Sequence, residues 1–166
     1  MSILIYAESA EGKIKKVAFE LASYAKKVAA SMGTTVTAVT INNSDNSALA
    51  AYGVDKVLNV SNDKLNNFSA KAYADVIAQA AKKEGTQIVL VSSSTDSLYL
   101  APLVAVALEA GYASNVVALP VSTSPFQVKR TAFSNKAFNI TEISTPVKVL
   151  GIAKNSFGLV ENAATM

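Results

Sequence analysis

The 166 residues carry fifteen cationic and twelve acidic side chains for a net charge of +3, and they include no cysteine, histidine or tryptophan. Those absences exclude a thiolate nucleophile, a serine–histidine pair, zinc held by its usual ligands and a disulfide framework. Arg130 is the sole arginine, whereas nucleic-acid binders cluster charge on one face and use arginine for bidentate contacts, so no nucleic-acid partner is expected.

The chain is of a size to form one domain that buries roughly 68–70% of the surface its unfolded form exposes. Its start, Met-Ser-Ile-Leu-Ile-Tyr, has no basic region ahead of an apolar stretch, so it shows neither a secretory signal nor a transit peptide. A cytoplasmic protein is expected. Ile3 to Ala7 is a short apolar run. From Ile14 the apolar residues Val17, Ala18, Leu21, Ala25, Val28 and Met32 recur every three or four positions, which predicts an amphipathic helix ending at Gly33. Thr34 to Ile41 is β-branched almost throughout and predicts a strand. Ser47 to Tyr52 makes a brief helix, Lys56 to Val60 a third strand, and a second long helix runs to Glu84 before Gly85. Lys26-Lys27 and Lys82-Lys83 read as solvated helix faces near C-termini.

Ile88 to Val91 has no polar alternation, as a strand covered on both faces of a parallel sheet requires. Ser92 to Ser97 is small and polar, the composition found where a strand ends over the carboxyl edge of an α/β sheet and ligands bind. Leu98 to Ala110 predicts a helix buried on most of its circumference, too short to span a bilayer, with Gly111 as its stop and Val116 to Leu119 as the next strand. Beyond Pro120 the helical period is lost. Phe126 to Phe133 and Ala137 to Ile143 predict an antiparallel pair, Pro146 to Ile152 a last strand returning to the sheet, and Asn155 to Met166 a fraying end.

Candidate chemistry is sparse. The loop at Ser93, Ser94, Thr95 and Asp96 precedes a helix and has hydroxyls suited to an anion, but it lacks the glycines and lysine of a phosphate loop. Asp96 repels a phosphate and is equally suited to capping the helix. Glu8, Glu11 and Glu20 cluster near the first strand–helix turn, where solvated surface is the expectation. Tyr6, Tyr73, Tyr99 and Phe68 suit core or layer packing. No catalytic residue and no metal ligand is expected.

Several phrases resemble a known family. Ile3-Leu-Ile-Tyr-Ala-Glu8 followed by Gly12-Lys13, then Ala51-Tyr-Gly-Val-Asp-Lys-Val-Leu58, Leu100-Ala-Pro102, Gly111-Tyr-Ala-Ser-Asn-Val-Val-Ala-Leu119 and Lys148-Val-Leu-Gly-Ile152 are similar, in order, to the N-terminal domain of the electron transfer flavoprotein alpha subunit. The chain departs from the family's usual Gly-Arg-Asp at Ser97-Leu98-Tyr99, and from its Ser-Asp-Val at Ser114-Asn115-Val116.

The resemblance implies a layered, Rossmann-like and adenine-nucleotide-hydrolase-like α/β fold, with a mostly parallel sheet, helices on both faces and an antiparallel C-terminal extension. Residues 1–157 are expected to form the domain, with 158–166 a tail or linker toward a flavin-binding domain, the chain being a fragment. The implied role is structural and subunit-docking, as a non-enzymatic electron-carrier component of a heterodimer with the beta subunit. The resemblance further implies that FAD is held mainly by the C-terminal domain, and none is expected in this chain. Through the complete complex, electrons are expected to pass from acyl-CoA or other dehydrogenases to a quinone oxidoreductase, and no membrane insertion is expected. A stand-alone nucleotide-binding module of the universal stress protein kind, using the loop at Ser92 to Ser97, is the alternative. An enzyme of the nucleotide-hydrolase kind lacks a phosphate loop and a general base.

Overall fold

The computed structural model describes residues 2–162. Strand β1 (Ser2–Tyr6) is buried along its whole length and leads into a small antiparallel flap, β2 (Ser9–Ala10) and β3 (Lys13–Ile14). Helix α1 (Lys16–Met32) ends on Gly33, and β4 (Thr35–Ile41), a 3-10 turn at Ser47–Tyr52 and β5 (Lys56–Val60) follow. Helix α2 (Ala70–Glu84) returns the chain to β6 (Ile88–Ser92), and α3 (Thr95–Ala107) connects to β7 (Gly111–Val116). The short β8 (Ser122–Thr123), the hairpin β9 (Phe126–Ala132) and β10 (Ala137–Glu142), and β11 (Lys148–Ile152) complete the chain.

Among the described residues nine strands form one sheet in the order β10-β9-β7-β11-β6-β1-β4-β5, with β8 against β9. The pairs from β5 to β7 are parallel, and β9 joins antiparallel. Alternation along β1 divides the core. Ile3 and Ile5 pack with Leu21, Ala25 and Val28 of α1, whereas Leu4 and Tyr6 pack with Ile77 of α2 and Leu100 and Val104 of α3. Helices on both faces leave the central strands β1 and β6 no solvent-facing side, which is why Ile88 to Val91 is unbroken hydrophobic sequence. From β1 the chain winds one way to β4 and β5, and the other way to β6. The carboxyl ends of β1 and β6 therefore flank the switch point, where open α/β sheets form a crevice.

Several sequence expectations around the third helix need correction. Helix α3 runs from Thr95 to Ala107 rather than from Leu98 to Ala110, because the Ser94 side chain accepts from the Ser97 amide at 3.1 Å and caps it. Its end is made by Glu109 in a left-handed conformation (φ 51°), so Gly111 is free to open β7. Glycine is required there for space, since a Cβ would stand 2.5 Å from Ile143 Cγ2. The next strand accordingly lies at Gly111–Val116, ahead of Val116 to Leu119. Nor is α3 buried on most of its circumference. Leu100, Ala101, Val104 and Ala105 face the core, while Leu98, Tyr99, Leu103 and Val106 are exposed.

The end of the described chain is tied down rather than frayed. Amides of Asn155, Phe157 and Gly158 donate to the buried Glu20 carboxylate at 3.0, 3.1 and 3.3 Å. Val160 exchanges hydrogen bonds with Ser23, and the Asn162 amide reaches the Ala51 carbonyl. Residues 163–166 of the expected tail lie outside the described residues.

Candidate functional site at the carboxyl edge

Glu8 emerges just past β1 and enters the switch-point crevice instead of solvent. It is 3% exposed, and a single oxygen, Oε1, accepts from the hydroxyls of Ser92, Ser94 and Ser97, the latter two at 2.7 and 2.8 Å. Its other oxygen meets Lys15 Nζ at 3.3 Å. Burial pushes this carboxyl up, but the three hydroxyls and then Lys15 outweigh burial and hold it below its ordinary value. Glu8 thus stays ionised, and it occupies the hydroxyl-lined start of α3 where an external anion would otherwise be received.

Sequence reasoning placed Glu8 and Glu20 on solvated surface, and both are buried; Glu11 is exposed on the flap. An acid directly after a strand that lies beside the switch point was the available signal. Its burial, however, depends on hydroxyls 84 to 89 residues away. Tyr6 and Tyr73 do pack in the core, whereas Tyr99 and Phe68 are exposed. Lys26 lies well inside α1 and pairs with Asp55 at 3.0 Å.

The loop singled out from the sequence is divided by the fold. Ser93 donates to the Ile152 carbonyl at 2.9 Å, Ser94 caps α3 and donates to Glu8, and Thr95 is exposed. Ser93, Ser94 and Thr95 border a cavity of about 760 Å³ on the α1 side, together with Lys15, Lys16 and Lys154. Asp96 lies apart from them, in a second cavity of about 430 Å³ with Tyr6, Glu11 and Tyr73. Glu8 and Lys15 border both. Among the described residues no cluster of acidic, histidine or cysteine side chains suits a metal ion, and no helix is long and apolar enough to cross a membrane.

This arrangement is that of an α/β domain whose switch-point crevice holds an ionised carboxylate ringed by hydroxyls. The family described as the electron transfer flavoprotein domain matches residues 3–166, and the chain belongs to that family. An electron transfer flavoprotein subunit alpha of Thermoanaerobacterium thermosaccharolyticum is 33% identical over 122 residues, covering 72% of this chain and 37% of the relative. Its counterpart in Syntrophomonas wolfei is 28% identical over 163 residues, 96% of this chain and 50% of the relative. The lactate dehydrogenase (NAD(+),ferredoxin) subunit LctC of Acetobacterium woodii is 30% identical over 150 residues, 87% of this chain and 36% of the relative. The chain therefore spans between about a third and a half of the length of these relatives.

Proposed function

We infer that this chain is the N-terminal structural and subunit-docking domain of an electron transfer flavoprotein alpha subunit, a carrier component and not itself an enzyme. Its partner is the beta subunit, in a cytoplasmic, FAD-containing heterodimer that carries electrons from acyl-CoA or other dehydrogenases to a quinone oxidoreductase of the respiratory chain. The observation that carries the reading is the family match along nearly the whole chain. Relatives whose names place them in dehydrogenase and reductase complexes support the electron-transfer setting.

Two surfaces support the docking role. Along α3, Leu98, Tyr99, Leu103 and Val106 form an outward apolar stripe, with Tyr99 68% and Val106 77% exposed. A charged or polar face is the norm for a helix over a sheet, so an apolar one fits a covered position in an assembly. The hairpin adds Phe133, Phe138 and Ile140, all exposed.

In this reading FAD is bound mainly by a further domain outside these 166 residues. The crevice supports that division, because a flavin's pyrophosphate does not fit the start of α3, where the hydroxyls already converge on the ionised Glu8. Fluorescence titration of the purified chain with FAD tests it. No saturable quenching is expected, and tight binding would overturn the assignment of the flavin to another domain.

A second reading, the stand-alone nucleotide-binding module, draws on the cavity where Lys15, Lys16 and Lys154 surround Ser93 to Thr95. Saturable calorimetric binding of ATP there would favour it over the docking domain.

A further inference from the structure

Tyr6 ends β1 on the α2 side of the sheet and is only 6% exposed. Among the described residues its hydroxyl has no hydrogen-bond partner, although its ring meets Tyr73 edge-on at 6.2 Å. The hydroxyl oxygen is not sealed from water but opens onto a cavity, where it stands as an unengaged acceptor. Tyr6 borders the 430 Å³ cavity, a volume in the range of small-molecule sites. Tyr73 and Phe68 line it too, their rings edge-on at 5.0 Å.

The charges around this space do not balance. Asp96 and Glu11 both line it, and neither has a cationic partner among the described residues. The one lysine at its wall, Lys15, is engaged with Glu8. The negative field is felt by the phenols. Burial first, then Glu8 and Asp96 among other neighbours, push Tyr6 up, and burial followed by Asp96 does the same to Tyr73. A phosphate would find carboxylates here and no free cation.

We propose that this cavity binds an organic cation, an ammonium or guanidinium group on a short carbon stem. The Tyr6 hydroxyl oxygen and the Asp96 carboxylate accept its N–H groups, and the Tyr73 and Phe68 rings cover the stem. Aromatic side chains beside a carboxylate suit such a group, since the ring faces attract a cation that the carboxylate pairs. The site goes beyond the electron-carrier reading and does not depend on it.

Amide chemical shifts of Asn66, Phe68 and Asp96, followed on the full chain, test the proposal. The probes are putrescine, agmatine and Nα-acetyl-arginine amide, with AMP and inorganic phosphate for contrast. Saturable shifts with at least one cation and none with the anions are expected. A blocked arginine binding as well as agmatine identifies a protein side chain as the source, while preference for the diamine or agmatine identifies a free metabolite of this class. Asp96→Asn should weaken the best cation about tenfold, the scale of one charge-assisted hydrogen bond, and Tyr6→Phe severalfold, with melting temperatures reporting that both variants fold. Absence of saturation with all three cations, AMP binding as well as they do, or a folded Asp96→Asn variant of unchanged affinity would each overturn the proposal.

Discussion

Replacing Glu8 by glutamine removes one charge and nearly preserves the side chain's shape. Three hydroxyl bonds now end on a charged oxygen. Bonds to charged groups contribute about 1.5–3 kcal/mol each against about 1 kcal/mol for neutral ones, so neutralisation costs roughly 1 kcal/mol per bond. Lys15 is 40% exposed, and its pairing adds at most about 1 kcal/mol. The buried carboxylate's own desolvation offsets part of this, leaving a net loss of roughly 2–3 kcal/mol, or a melting temperature lower by about 4–12 °C for a domain of this size.

The sign with pH follows from the same contacts. Because folding lowers the Glu8 pKa, its stabilisation is complete above the ordinary glutamate value, about 4.3, and is lost as pH falls below it through the folded value. Urea unfolding of both proteins at pH 7 and at successively lower pH measures this. The gap should be widest at neutral pH and shrink on acidification. A gap under about 0.5 kcal/mol at pH 7, the ordinary range for surface changes, or a gap that stays constant on acidification, would refute the reasoning.

Gly111→Ala forces a methyl group to within 2.5 Å of Ile143 Cγ2, and overpacking of this kind should cost about 1–3 kcal/mol in chemical denaturation. Glu20→Ala leaves the amides of Asn155, Phe157 and Gly158 without their acceptor. Hydrogen exchange at these three positions should accelerate about tenfold or more, while β6 keeps its protection. Val106→Lys, at a site 77% exposed, should change stability by less than about 0.5 kcal/mol. It should nonetheless weaken association with the beta subunit severalfold, as read by sedimentation.

Much of the architecture is legible in the sequence because it rests on local pattern. The three-and-four spacing from Ile14 to Met32 gives α1, and the unalternating Ile88 to Val91 gives a doubly covered strand. Around α3 the same logic misplaces the boundaries. Composition is apolar from Leu98 onward, but Ser94 supplies the cap and Glu109 the left-handed turn. Apolar content also cannot say which side of α3 the domain covers, so the exposed stripe through Leu103 and Val106 is visible only once α3 is seated on the sheet. The polar loop after a central strand was legible as lying at the sheet's carboxyl edge, though the fold divides its residues between two cavities. Its chemistry was not, since Glu8 and its hydroxyl partners, like Glu20 and the amides it holds, are brought together only by the completed fold.

Sedimentation velocity of the purified chain mixed with the matching beta subunit tests the docking role most directly. The account predicts a faster-sedimenting stoichiometric complex with wild-type chain that diminishes with Val106→Lys. Independent sedimentation of the two wild-type proteins across micromolar concentrations would contradict it.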